Sequence, residues 1–281
     1  MVNSRSELTL SLLLFSALCL EAFIIELEVF SPAQRMNWSE ARLYCQRNHV
    51  DLVAGNIVDI SGLNGSLLNL RQVWMGLRRV PRNDSAWRWI DPKGGEGVSG
   101  GDFSQSVLWA QGEPRYADCG SFDPVNQKFY SKACSTELPF LCYDDNLVVV
   151  NENKTWEDAL KHCRKMESPC EDEPSPCIYK HDLLSLEVLV EYNYVRDRIY
   201  KATTDEVWTS LRFLGGEWRW SNGQQLEDQT MLPDCPSQWK HCGTLSKHDT
   251  NHWITRNCLE RRNFICYRYK TVSNQTDYLG V

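Results

Sequence analysis

The chain repeats itself, and a repeat of this length has to fold as repeated units, each with its own core. Trp38 stands seven residues before Cys45 and Trp156 seven before Cys163, in WSEARLYC and WEDALKHC. WMGL at Trp74 is matched by WTSL at Trp208, and WRWI at Trp87 by WRWS at Trp218. Cys119-Gly answers Cys242-Gly, and the pairs Cys134/Cys142 and Cys258/Cys266 close on PFLCY and NFICY. The offset runs only from 118 (Trp38 to Trp156) to 134 (Trp74 to Trp208). Two homologous domains follow, at 23–143 and 147–267, with a polar tail over 268–281. The turn-forming residues Asp144, Asp145 and Asn146 read as a short linker.

Within each unit, Trp, Ala and Cys recur at helical spacing in Trp38, Ala41 and Cys45. Asn37 with Glu40, and Thr155 with Asp158, have the form of N-cap pairs. A second helix is expected over Leu63, Leu67 and Leu70 in the first domain, and over Val188, Tyr192, Val195 and Ile199 in the second. Short Trp-rich strands follow, with a hairpin signal at Asn222-Gly223. Helices followed by short strands predict an α+β class for both units.

The N-terminus has the form of a secretory signal. Arg5 precedes an apolar run from Leu8 to Leu20, too short for a bilayer span, with Ala17 and Cys19 placed for cleavage after residue 19. No later stretch is apolar enough to anchor the chain, so secretion is expected. Twelve cysteines fit an oxidising compartment. Sequons at Asn37, Asn64, Asn83, Asn153 and Asn274 make a glycoprotein the expected product. With 30 basic against 37 acidic residues and no Lys/Arg block, nucleic acid is not an expected partner.

This constellation, present twice, resembles the C-type lectin-like domain; the whole chain is most similar to secreted macrophage mannose receptor-like proteins. The resemblance implies two tandem α+β domains, each with two helices, small antiparallel sheets and a long loop. It also implies disulfides Cys45–Cys142, Cys119–Cys134, Cys163–Cys266 and Cys242–Cys258. Three cysteines remain in domain two. Cys170 and Cys177 flank a short Pro-containing segment and can close on each other. Cys235 is then left for a partner chain, as in a disulfide-linked dimer. Pairing of Cys235 with Cys170 or Cys177, or retention of Cys19 as a partner, are the competing arrangements.

Sugar binding in this family rests on Ca²⁺, which takes six to eight oxygen ligands. The resemblance places these in a Glu-Pro-Asn tripeptide, in a Glu two residues before the third cysteine, and in an Asn-Asp pair before the fourth. Domain one keeps Glu113 and Pro114, but Arg115 stands where Asn belongs, Ala117 where Glu belongs, and Tyr130 and Ser131 where Asn and Asp belong. Asp118 is a weak second candidate ligand. Domain two has no Glu-Pro-Asn counterpart, and Ile254 and Thr255 follow Trp253. No metal and no cofactor are therefore expected, and Glu113-Pro114 is expected to shape the loop through a cis proline.

Glu113, Arg115, Trp109 and Trp239 are the candidate ligand contacts. No catalytic motif is present, so no enzyme activity is expected. Lys93-Gly-Gly-Glu-Gly reads as a loop insertion, and the acidic Glu171, Asp172 and Glu173 as a solvated loop. His241, His248 and His252 near Cys235 and Cys242 read as surface histidines in preference to a zinc site. The expected function is recognition of an extracellular protein or glycan without the usual calcium site. The alternative is a calcium-dependent lectin acting through a degraded site in domain one.

Overall fold

The structure, a computed structural model, describes residues 25–55, 70–79, 86–91, 108–170, 177–186, 189–224, 226, 232–248 and 253–272. The signal segment with Cys19, Leu63 and Leu67, the loop at Lys93, Glu171–Glu173, Val188, His252 and the sequons at Asn64, Asn83 and Asn274 lie outside those residues.

In chain order, domain one comprises β1 (Leu27–Phe30), α1 (Trp38–Asn48), β2 (Asp51–Leu52), β3 (Val73–Arg79), β4 (Trp87–Trp89), β5 (Cys119–Asp123), β6 (Lys128–Lys132) and β7 (Cys142–Asp145). Domain two continues with β8 (Leu147–Lys154), α2 (Trp156–Arg164), β9 (Glu167–Pro169), β10 (Cys177–Leu183), α3 (Leu189–Ile199) and β11 (Glu206–Leu214). It closes with β12 (Glu217–Arg219), β13 (Cys242–Ser246), β14 (Ile254–Arg256) and β15 (Arg262–Val272). Both units are α+β. Domain one has a terminal sheet in the order β1-β7-β2 and a second sheet, β4-β3-β5-β6. In domain two the strands join into one sheet, β14-β13-β11-β15-β10-β9, with β12 on β11 and β8 on β15. Among the described residues no helix is long and apolar enough to cross a membrane.

The repeated tryptophans explain why the two halves fold alike. The Nε1–H of Trp38 on α1 donates to the Met75 carbonyl at 2.8 Å, and Trp156 on α2 donates to the Thr209 carbonyl at 2.8 Å. The strand tryptophans donate back to the segment before each helix: Trp74 to Met36 O at 3.0 Å, Trp208 to Lys154 O at 2.9 Å. Each reciprocal pair buries two large indoles and satisfies their only polar atoms. Both helices are capped as the sequence suggests, Asn37 Oδ1 accepting from the Glu40 N–H and Thr155 Oγ1 from the Asp158 N–H.

The Cys-Gly repeat has a steric cause. A Cβ on Gly120 would fall 2.7 Å from the Leu77 Cβ, and one on Gly243 would fall 2.8 Å from the Leu211 Cβ. Among the described residues five disulfides are formed: Cys45–Cys142, Cys119–Cys134, Cys163–Cys266, Cys242–Cys258 and Cys170–Cys177. Cys235 is exposed and outside a disulfide. Tyr192, Val195 and Ile199 on α3 are buried, as their spacing predicts.

Asn222-Gly223 makes a tight turn, with Gly223 at φ 89°, its N–H on the Trp220 carbonyl and the Trp220 N–H on the Gln224 carbonyl. A further hairpin, β11–β12, is connected by Gly215-Gly216, both at positive φ. One expectation needs correction. Asp144 and Asp145 are not linker turn residues. They end β7, paired with Glu28 and Leu27 of β1.

The reason lies in what Asp145 meets. Its side chain is fully buried and takes both Arg198 Nε at 2.5 Å and Nη2 at 3.3 Å, together with the Tyr194 hydroxyl at 2.6 Å and the Leu147 N–H at 3.0 Å. Arg198 and Tyr194 belong to α3 of domain two. Tyr194 packs against the cores of both domains. Lys201 Nζ donates to the Val50 carbonyl across the junction, and the Glu26 N–H donates to Asn146 Oδ1 of the connecting segment.

Candidate functional site

The residues singled out in domain one converge on a loop after β4 and on the strands that carry it. The loop turns at Gly112, φ 78°, with the Glu113 N–H on the Ala110 carbonyl, and passes through a cis Glu113-Pro114 peptide. From β3, the Arg79 guanidinium reaches over and donates from Nη2 to the Arg115 carbonyl at 2.5 Å. From β6, Ser131 comes up beneath the loop, its Oγ accepting from the Arg115 N–H at 2.7 Å.

Glu113 does not point its oxygens at an open site. Oε2 accepts from the Ser131 Oγ–H at 2.5 Å, the Ser131 N–H at 3.1 Å and the Arg115 N–H at 3.2 Å. Oε1 lies 3.3 Å from Arg115 Nε. Burial raises the Glu113 pKa, but the hydrogen bonds from Ser131 and the Arg115 backbone, with the Arg115 charge, outweigh it and hold the carboxyl below its usual range. The cation beside this carboxylate is the Arg115 guanidinium. Around it, Ala117 offers no side-chain oxygen, and Asp118 is turned to Arg79 Nε at 3.6 Å. These residues do not fit the six to eight oxygens that Ca²⁺ requires.

An open cleft of about 560 Å³ lies on this face, lined by Arg79, Trp87, Gly112, Pro114, Arg115 and Tyr116. Arg79 sits over the Trp87 ring at 5.3 Å. Tyr116 is fully exposed. Trp109, expected as an exposed contact, is instead half-buried. It packs edge-on against Trp87 at 4.8 Å and against Phe129 at 6.2 Å, as the support of the wall and not its surface. Arg79, Trp87, Tyr116 and Ser131 are the members that sequence reasoning missed as site residues. Adjacency to Arg115 was the available signal for Tyr116; for Arg79 and Trp87 only the fold brings them in.

Domain two offers a different surface. Trp239 is 65% exposed, on the same loop as Cys235. Glu206 on β11 is enclosed by Arg256 at 2.5 Å, Thr244 Oγ1 at 2.9 Å and Arg262 at 3.4 Å. Burial raises the Glu206 pKa, but Arg256, Thr244 and Arg262 together lower it further. Cys242 is committed to its disulfide, and His241 packs on Phe213 at 5.8 Å, so neither is placed as a zinc ligand. Among the described residues no group of three or more His, Cys, Asp or Glu could hold a metal. Of the described sequons, Asn153 is exposed and uses its Oδ1 to accept from Asn263, while Asn37 is half-buried at its helix cap.

Comparison with known proteins gives one consistent result. The family profile for the lectin C-type domain matches residues 34–144 and 152–268. Lymphocyte antigen 75 of Mesocricetus auratus is 21% identical over 88% of this chain, and human secretory phospholipase A2 receptor is 28% identical over 84% of it. The chain spans only 15% and 18% of the lengths of those two relatives. A crystal structure of the C-type lectin CEL-I from Cucumaria echinata is similar to 44% of this chain and 89% of its own, at 18% identity and a TM-score of 0.36.

Proposed function

Because the chain belongs to the C-type lectin domain family, we propose that it is a secreted, non-catalytic recognition protein that binds an extracellular glycan or protein without calcium. The observation that carries this reading is the closed Glu113 carboxylate. The one strong calcium ligand left in domain one already has four donors from Ser131 and Arg115, and the positive charge beside it is a guanidinium. For Ca²⁺ to enter, these contacts would have to break and Arg115 would have to leave. Domain two supplies an exposed Trp239, and its Glu206 on β11 is enclosed by Arg256 and Arg262.

A glycan and extracellular-protein array, probed with the mature chain in calcium and again in EDTA, tests the proposal. Binding that is equal in both buffers is expected. Binding abolished by EDTA would favour the calcium-dependent alternative through Glu113 and Asp118.

The exposed thiol of Cys235 is proposed to link two copies of the chain or to carry a small thiol. Non-reducing mass spectrometry of the secreted protein is expected to find Cys235 in an intermolecular or mixed disulfide and Cys170 joined to Cys177. A free Cys235 in a monomer would remove the dimer. Glycosylation is proposed at Asn153, whose side chain is exposed at the end of β8.

A further inference from the structure

The chemistry of the domain-one cleft narrows the ligand class further, an inference that rests on the calcium-independent reading above. Around this cleft the strongest acceptor is used and several donors are not. Glu113 is saturated by its own neighbours. Trp87, by contrast, is only 6% exposed and its indole N–H has no acceptor. Arg79 Nε, also buried, makes no hydrogen bond, its approach to Asp118 being a 3.6 Å ion pair. Both side chains line the cleft, so its wall carries the Arg79 charge and the Trp87 ring with no acceptor of its own at those two nitrogens.

Arg115 stands at the mouth with 71% of its side chain exposed and only one weak ionic contact to Glu113. Asp118, 61% exposed, lies 3.6 Å from Arg79 Nε and competes for this cation. Tyr116 and Pro114 add apolar surface beside the donors.

We propose that this cleft binds the sulfate or carboxylate group of an acidic saccharide. Arg115 pairs with the anion, the Arg79 guanidinium adds positive charge to the same face, and Tyr116 packs on the sugar ring. Arginine suits this role because its planar fork gives charge-assisted bonds to such oxyanions. The exposed aromatic ring beside it favours a saccharide over an acidic peptide, since it offers a flat apolar face to the C–H side of a pyranose.

Calorimetry on the full mature chain in EDTA tests this with three probes: a heparin-derived hexasaccharide, a hyaluronan hexasaccharide and neutral cellohexaose. At least one acidic probe should bind, the first alone if sulfate is required, both if carboxylate suffices, and cellohexaose should not. Arg115→Gln is expected to weaken binding by about tenfold, and Asp118→Asn to tighten it by about threefold, since one removes the pairing cation and the other the competing anion. If neither acidic probe binds, or if Arg115→Gln leaves the affinity unchanged, the inference is wrong while the calcium-independent reading stands. Binding of an acidic probe that appears only when calcium replaces EDTA would overturn both.

Discussion

Replacing Arg198 by methionine is expected to destabilise the tandem by about 3–5 kcal/mol, because it leaves the Asp145 carboxylate buried without its cation. Asp145 has no exposed side-chain surface, and Arg198 supplies two of its hydrogen bonds from the other domain. Methionine keeps much of the packing volume, so the loss is electrostatic. The Tyr194 hydroxyl and the Leu147 N–H remain, but neither carries a charge. The double variant Asp145→Asn/Arg198→Met should therefore recover a large part of the loss, since the amide oxygen can still accept from Leu147 and no charge is stranded. Urea unfolding of the wild type, the single and the double variants measures this. A single-variant cost below about 1 kcal/mol would place the pair among exposed, weakly contributing salt bridges and contradict the buried junction.

The second large effect is expected from the long disulfide of domain two. Cys163–Cys266 closes a loop of 103 residues, and both cysteines are fully buried. In the chain-entropy account, losing a loop of that length costs about 4.7 kcal/mol, whereas Cys170–Cys177, spanning 7 residues, costs about 2.4 kcal/mol. The paired replacement Cys163→Ala/Cys266→Ala should lower the thermal midpoint of domain two by roughly 15 °C and reduce secretion. The replacement Cys170→Ala/Cys177→Ala should lower it by about half as much or less, because that bridge pins only the end of β10 next to the exposed β9. Equal shifts for the two pairs would show that loop length does not govern their contributions.

Much of the architecture is legible in the sequence because the repeated residues form a closed frame within each unit. Trp38 and Trp74, like Trp156 and Trp208, each donate to a backbone carbonyl beside the other, and the glycines after Cys119 and Cys242 sit where no Cβ fits. A residue fixed from both sides recurs, so the repeat is visible. Asp145 is a different case. By composition it belongs with Asp144 and Asn146 in a turn, and only the arrival of Arg198, 53 residues later, makes it a buried strand residue. Trp109 is similar: its neighbours Trp87 and Phe129 come from β4 and β6, which sequence order does not place beside it.

At the candidate site, Arg115 in the place of a ligand was readable as a substitution. The saturation of Glu113 was not, because two of its donors come from Ser131, 18 residues away on β6. A serine in place of an acid reads as a missing ligand; in the fold it is also a hydrogen-bond donor that closes the remaining one.

The proposed replacement of calcium at Glu113 by Arg115 and Ser131 is tested by calcium titration of the mature chain by calorimetry. No saturable heat up to millimolar calcium is expected, nor any change of the unfolding midpoint in EDTA. Saturable, stoichiometric binding in the micromolar range that Glu113→Gln abolishes would contradict it.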